Sequence, residues 1–410
     1  MDYYKEVKKP NRIIGKTLFS VIRKYLNFKI DIHLEENETK DLKPPYLILA
    51  NHVTYWDPFL VNLFINEPIC YIAESVYFRN PILRFFLNLA GSIPKKRFVS
   101  HYSPIKRMIR AKENGRILGV FPEGERKWDG TTNELILHST SKLIKKLNVP
   151  VVIAKIKGGY LAYPRWARAP RRGRVSLSYQ VCITGNEVQE LAVQEIAKKV
   201  KKFFFHDEMN YQKEYLNTYL GDHLAEHLEH LLFACPHCKS FNTLVSHENV
   251  LYCAQCNYRV IYNQYGFLKG LQKKLYFDNV RDWNRWQNRF LKDYIMRKLT
   301  EDDQGILLED ENVELLEGSF TKPFMSIGLG RLSLKQMKIF FTVFEGKKYQ
   351  FELKKITGMN VQFHAVLEFG YNEDIFRFIF KNQHISAYKW VQAVHYLKNE
   401  VFNIAKQSVG

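Results

Sequence analysis

The sequence predicts an α/β core with a mostly parallel sheet, then a small four-cysteine ribbon, then a mainly-β C-terminal domain. Three observations predict it. From about residue 46 to 185, short apolar runs alternate with helical stretches, as in sheets whose strands are joined by helical crossovers. Two CxxC pairs stand between residues 233 and 262. From about residue 305 the texture changes to closely spaced strand-like runs followed by one amphipathic helix.

The elements follow in chain order. Residues 12–28 place Ile14, Leu18, Phe19, Ile22, Tyr25 and Leu26 on one helical face, with Arg12, Lys16, Arg23 and Lys24 mostly elsewhere. Such a basic amphipathic helix suits either a membrane surface or the protein's own core. Tyr46–Ala50 reads as a first buried strand. A helix over Pro58–Ile65 follows, with Asp57 as N-cap and Pro58 at the first helical position. Ile117–Phe121, Val149–Ile156 and Val175–Ile183 read as further strands, and Glu134–Leu147 as a helix. Residues 187–232 look helical and polar, and 270–300 helical and rich in Lys, Arg and Trp. The tail offers strands at Leu332–Phe344, Lys348–Ile356, Val361–Phe369 and Ile375–Lys381, then a helix at Ser386–Ala405. The expected division is an amphipathic helix (1–30), a catalytic domain (31–215), a helix and ribbon (216–265), a basic helical linker (266–304) and a β-rich domain (305–410).

Composition narrows the function. The 410 residues carry a net charge of +19, which favours a polyanionic partner, either nucleic acid or an anionic membrane. Aromatic content is 14%, which suits a protein that meets lipid as well as its own core. The N-terminus has no apolar signal region, and no apolar run reaches the length of a membrane span. Membrane contact is therefore expected to be peripheral or monotopic, on the cytoplasmic side. The segment Lys157–Arg174 mixes aromatics with arginines, a composition fit for lipid headgroups and equally for nucleic acid.

The most informative stretch is Asn51-His52-Val53-Thr54-Tyr55-Trp56-Asp57-Pro58, between a strand and a helix. The carboxyl ends of strands are where α/β proteins build sites. On a continuous helix His52 and Asp57 would diverge by roughly 140°. A strand–turn–helix can instead fold the carboxylate back onto the imidazole, fix its tautomer and leave the other nitrogen as a base. Taken alone, Asp57 could equally be only a cap and His52 a loop residue. Further along stand Gly91-Ser92-Ile93-Pro94-Lys95-Lys96-Arg97, then Phe121-Pro122-Glu123-Gly124-Glu125-Arg126, then Val149-Pro150-Val151.

These four blocks, in this order, resemble the glycerolipid acyltransferase family, whose best-known members acylate 1-acylglycerol 3-phosphate. The resemblance covers roughly residues 30–185. It implies that His52 deprotonates the acceptor hydroxyl and that Asp57 orients it. It implies that Arg97 binds the acceptor's phosphate and that Glu123 and Gly124 shape the acceptor site, with Arg126 kept. A phosphate-bearing acceptor needs Arg or Lys for charge-assisted hydrogen bonds, and Lys95 and Lys96 beside Arg97 suit that role or that of a solvated basic turn. The family commonly has Thr or Ser after the FPEG glycine, where this chain has Glu125, and the departure bears on the acceptor. The expected reaction moves a fatty acyl chain from a thioester, acyl-coenzyme A or acyl-acyl carrier protein, to a lysophospholipid at an anionic membrane. Such a transfer needs a deprotonated alcohol and a stabilised oxyanion, and no Gly-x-Ser-x-Gly nucleophile elbow is present.

Cys235, Cys238, Cys253 and Cys256 have the spacing of a zinc ribbon, four thiolates closing a structural site. Lying between regions of different texture, the ribbon is expected to hold catalytic core and tail together. The tail weakly resembles pleckstrin-homology or GRAM domains. Tyr252, Tyr258 and Arg259 are too few for a nucleic-acid module, so none is expected as partner. The competing reading is a lipid- or nucleic-acid-binding scaffold without catalysis, against which His52, Asp57 and Glu123 stand intact.

Overall fold

The computed structural model describes residues 12–74, 78, 81–89, 91–95, 103–132, 137–271, 274–302, 304–319, 322–344 and 346–401. The chain divides into two compact units. The first holds the described residues within 1–165, 169–221 and 264–266, and the second those within 166–168, 222–263 and 267–410.

The first unit is built on a sheet of β1 (Asp31–Asn37), β2 (Leu47–Ala50), β3 (Cys70–Glu74), β4 (Ile93–Lys95), β5 (Leu118–Val120), β6 (Val151–Lys157), β7 (Arg172–Ile183) and β8 (Tyr219–Leu220). Its order is β1-β7-β6-β2-β5-β3-β4, with β8 on β7. The β2·β5, β2·β6, β3·β5, β3·β4 and β1·β7 pairs are parallel, while β6·β7 and β7·β8 are antiparallel. The sheet is thus mixed and mostly parallel. Every residue of β2 is buried, as expected of a strand covered on both faces. Leu47, Leu49, Leu118, Val151 and Ile153 form one core with Ile144 and Leu147 of the helix Leu137–Leu147 and Ile196 and Val200 of the helix Val193–Phe204.

Several elements differ from the sequence reading, each for a physical reason. The helix after β2 spans only Asp57–Asn62 and its N-cap is Trp56, because the Asp57 carboxylate turns away from the helix. The polar helical stretch ends at Tyr215, where Leu216 takes a left-handed φ of 48°. Tyr160, Arg165, Trp166 and Arg171 are buried, so much of the aromatic–arginine segment is interior and not headgroup-facing. The first helix spans Arg12–Lys29. Leu26 and Ile30 are buried, but Val21, Tyr25 and Phe28 are 62%, 55% and 75% exposed. Their spacing of four and three residues puts them on one outward stripe.

In the second unit β9 (Leu244–His247), β10 (Val250–Cys253), β11 (Arg259–Tyr262) and β12 (Leu268–Gly270) form an antiparallel sheet in the order β12-β11-β10-β9. The helix Val280–Glu301 caps backbone groups of the segment 231–234, which leads into the first CxxC turn. Gln287 accepts from Phe233 N (2.9 Å) and donates to Leu231 O (2.8 Å), and Trp283 Nε1 donates to Ala234 O (2.9 Å). A second antiparallel sheet holds β13 (Leu308–Gly318), β14 (Met325–Lys335), β15 (Lys338–Val343), β16 (Lys348–Glu352), β17 (Ile356–Gln362), β18 (Val366–Tyr371) and β19 (Asp374–Phe380). Its order is β16-β15-β14-β13-β19-β18-β17. The run expected as one strand over Leu332–Phe344 is two, because Gln336 and Met337 at φ 50° and 56° make a tight turn.

The helix Ala387–Tyr396 closes this sheet with Ser386 as N-cap. Its Lys389 and Trp390 are buried and meet Asp310 of β13: Nζ lies 3.0 Å from Oδ2, and Nε1 donates to Oδ2 at 2.6 Å. Asn242, four residues after Cys238, donates to Asp310 Oδ1 at 2.7 Å. One buried carboxylate therefore ties the cysteine ribbon to the C-terminal sheet and helix, and burial without such partners would be costly.

Candidate active site

β2 ends where the site begins. The last register pair of β2 and β6 is Ala50↔Ala154. One residue on, the Asn51 side chain takes the place of a strand neighbour: Nδ2 donates to Ile156 O and Oδ1 accepts from Ile156 N, both at 2.8 Å. The ladder is extended by a side chain, so the backbone can leave the sheet without orphaning Ile156.

Asp57, fully buried, then folds back over the turn. Its Oδ2 accepts from Val53 N (2.6 Å) and Thr54 N (2.9 Å), and its Oδ1 from Thr54 Oγ1 (2.7 Å). His52 Nδ1 lies 2.7 Å from the same Oδ2. A carboxylate surrounded by donors is the acceptor here, so Nδ1 carries the proton and Nε2 is left as a lone-pair nitrogen. The turn thus does what a helix could not, and brings residues 52 and 57 into contact.

Three groups hold His52 in place. Its ring stacks on Phe121 (centroids 4.6 Å apart), and Phe121 stacks on Tyr71 (5.3 Å). Gly119 makes room for this pile, since a Cβ there would lie 2.4 Å from the Tyr71 ring. Burial pushes the Tyr71 hydroxyl well above its ordinary value, which keeps it neutral beside Asp57. The third group is Glu123, whose Oε1 accepts from His52 N at 3.0 Å and whose Oε2 pairs with Lys127 Nζ at 2.6 Å. Oε1 thus takes a hydrogen bond, while Oε2 has the Lys127 charge beside it but no aligned hydrogen bond, and the residue is buried.

Gly124 closes the Phe121–Gly124 turn at φ 74°, a conformation that disfavours any side chain. Glu125, in the place of the family's Thr or Ser, accepts from the buried Arg165 at 2.9 Å. Arg165 also donates to Arg126 O (2.9 Å) and lies over the Trp128 ring (4.4 Å). The Arg126 guanidinium sits 3.4 Å over the ring of Tyr55, inside the His52–Asp57 turn. Lys95 ends β4 with its side chain exposed. Lys96 and Arg97 lie outside the described residues.

Of the expected residues, His52, Asp57 and Glu123 meet directly, and Gly124 and Arg126 stand on the adjoining turn. Reading the residues alone missed Asn51, Thr54, Phe121, Tyr71 and Lys127 as supports. Only Lys127 had a signal, an opposite charge four positions after Glu123, and the absence of a helix there hid it.

The family model described as Acyltransferase matches residues 29–154. Those residues are an acyltransferase-family domain. A 1-acyl-sn-glycerol-3-phosphate acyltransferase of Saccharomyces cerevisiae is 27% identical over 147 residues, 34% of this chain and 46% of the relative. The chain thus spans about half the length of this relative. The crystal structure of the 1-acyl-sn-glycerophosphate (LPA) acyltransferase PlsC from Thermotoga maritima matches with a TM-score of 0.40 at 20% identity, over 50% of this chain and 77% of that one.

In the second unit the four cysteine Sγ atoms lie within 4.8 Å of one another, the one such cluster among the described residues. Cys235–Cys256 and Cys238–Cys253 are 3.6 and 3.7 Å apart. Both CxxC turns have the same shape: the fourth residue after each first cysteine donates back to it (Lys239 N to Cys235 O, Asn257 N to Cys253 O), with φ of 61° and 60°. This is a set of four ligands that can hold a metal ion. His237 turns to Tyr276 (3.0 Å) instead.

Proposed function

We propose that the protein transfers a fatty acyl group from a thioester, acyl-coenzyme A or acyl-acyl carrier protein, to the hydroxyl of 1-acylglycerol 3-phosphate, giving phosphatidic acid. The observation that carries this reading is the His52 Nδ1–Asp57 contact of 2.7 Å at the end of β2, within an acyltransferase-family domain. Nε2 takes the hydroxyl proton as the oxygen attacks the thioester carbonyl. The tetrahedral intermediate then expels the thiolate, which receives that proton from the imidazolium. Arg97, Lys95 and Arg126 supply charge-assisted contacts to the acceptor's phosphate. Glu123 and Gly124 shape the site through the turn that seats His52. The test is incubation of purified protein with a panel of lysophospholipids and acyl donors, read by lipid mass spectrometry. Phosphatidic acid is expected as the main product, and no acylated lipid from any pair would overturn the reading.

We further propose that the first unit works on the cytoplasmic face of an anionic membrane. Among the described residues no helix is long and apolar enough to cross one. The Val21–Tyr25–Phe28 stripe, with Lys24 exposed beside it, supports peripheral contact. Deleting the helix would also remove the buried Leu26, so replacing Val21, Tyr25 and Phe28 with Ser is the cleaner test. The variant is expected to sediment at least several-fold less with anionic liposomes, and raised salt to release much of the remainder. Unchanged sedimentation would make the stripe irrelevant to attachment.

Zinc is the metal proposed for the cysteines, because four zinc–thiolate bonds of about 2.3 Å set neighbouring sulfurs about 3.8 Å apart. The C-terminal sheet is proposed to be pleckstrin-homology-like. A four-strand meander (β13–β16), a three-strand meander (β17–β19) and a closing helix support this reading.

A further inference from the structure

We propose that Lys127 is a positioning residue for the acyl transfer, closing a ring of contacts that clamps the backbone of His52. The inference rests on the proposed acyl transfer at His52. Lys127 is buried, and its contacts run to Glu123 and to the backbone of His52. Its ammonium pairs with Glu123 Oε2 at 2.6 Å, Glu123 Oε1 accepts from His52 N at 3.0 Å, and Lys127 N donates to His52 O at 3.1 Å. The amide and the carbonyl of the base are therefore held by residues 123 and 127, which are themselves held to each other. Removing the ammonium leaves Glu123 a buried carboxylate without its counter-charge. It would then move or take a proton, and in either case its hold on His52 weakens. A base displaced by even about 1 Å loses much of its effect on the chemical step.

The clamp is sensitive to pH. Burial is the main cause that brings the Lys127 ammonium down to about 8, with Arg165 pulling the same way and Asp129 opposing. The charged groups that face it are Glu123, Asp129 and Arg165. As pH rises through about 8, Lys127 gives up its proton and Glu123 loses its partner. An arginine in that place stays charged.

The test compares wild type, Lys127→Met and Lys127→Arg by kcat and KM between about pH 6 and 10. Lys127→Met is expected to lower kcat by about 10- to 100-fold with little change in the KM for lysolipid. Wild type should lose kcat above about pH 8, and Lys127→Arg should move that alkaline limb upward by about one pH unit or more. Wild-type kcat in Lys127→Met, or an unmoved limb in Lys127→Arg, would overturn the proposal. Should Lys127→Met not fold, the limb of Lys127→Arg decides. Should wild type acylate nothing, the reaction itself is misread, and amide hydrogen exchange at His52 decides for the clamp. Faster exchange than wild type in Lys127→Met at neutral pH, and slower exchange than wild type in Lys127→Arg above about pH 8, support it, and rates equal to wild type in both comparisons overturn it.

Discussion

Replacing His52 with Ala is expected to lower turnover by about 10²- to 10⁴-fold, the usual contribution of a general base. The side chain is 23% exposed and lies at the end of a strand, so its removal opens no large cavity and the melting temperature should change little. Activity within tenfold of wild type, in a variant that still folds, would remove His52 from the mechanism. Asp57→Asn sharpens the comparison. An Asn at a helix N-cap would be harmless, but Asp57 does not cap its helix. It accepts from Val53, Thr54 and the His52 ring together. An amide has one acceptor oxygen and presents its NH2 group to the remaining donors. Asp57→Asn should therefore release the His52 tautomer and also cost about 1–3 kcal/mol of stability for buried groups left unpaired. Loss of turnover with an unchanged melting temperature would show that only orientation was at stake.

Replacing Cys235 and Cys238 with Ser is expected to abolish zinc binding and to unfold the second unit. Structural zinc contributes about 10–16 kcal/mol in small ribbons, as much as the whole net stability of an ordinary domain. The damage should spread along named contacts. Asn242 follows the first CxxC turn and meets Asp310, which also holds Lys389 and Trp390. Metal analysis should fall from about one zinc per chain to none, and hydrogen exchange should rise in β13 and in the helix Ala387–Tyr396. Whatever chain keeps its first unit folded should keep most of its acyl transfer, since four cysteine ligands leave no position for substrate. A folded, zinc-free variant with no turnover would place the metal in the chemistry.

The His52–Asp57 contact was legible because the two residues are local. Asn51 to Asp57 lie within one turn, and Phe121 to Arg126 within the next. What stayed hidden is set by distance in the chain. That β7 runs antiparallel to β6 follows from how the segment between them folds, not from the alternation of its residues. β1, Asp31–Asn37, is largely polar because it lies at the sheet edge, so no apolar run marked it. β13 carries the acidic string Glu309-Asp310-Glu311, which reads as solvent-facing until Lys389 arrives from the far end of the unit. The turn at Gln336–Met337 has none of the residues that usually take positive φ. Glu125 departed visibly from the family pattern, and only the fold shows Arg165 as its partner.

The bond from His52 N to Glu123 has a bearing on how the protein ages. Asparagine decays when the amide nitrogen of the next residue attacks its side chain, and the product is an aspartate. At Asn51 that nitrogen belongs to His52, and it is already committed to Glu123 Oε1 at 3.0 Å. The side chain it would attack is pinned at both ends by Ile156. The contact that seats the base thus also shields the asparagine before it from the slow chemistry that shortens the life of thermolabile residues. An aspartate there would turn an anion toward the Ile156 carbonyl and silence the site while leaving the rest of the molecule intact. Chains that lose the Glu123 contact should therefore not only begin slower but also spoil sooner in storage.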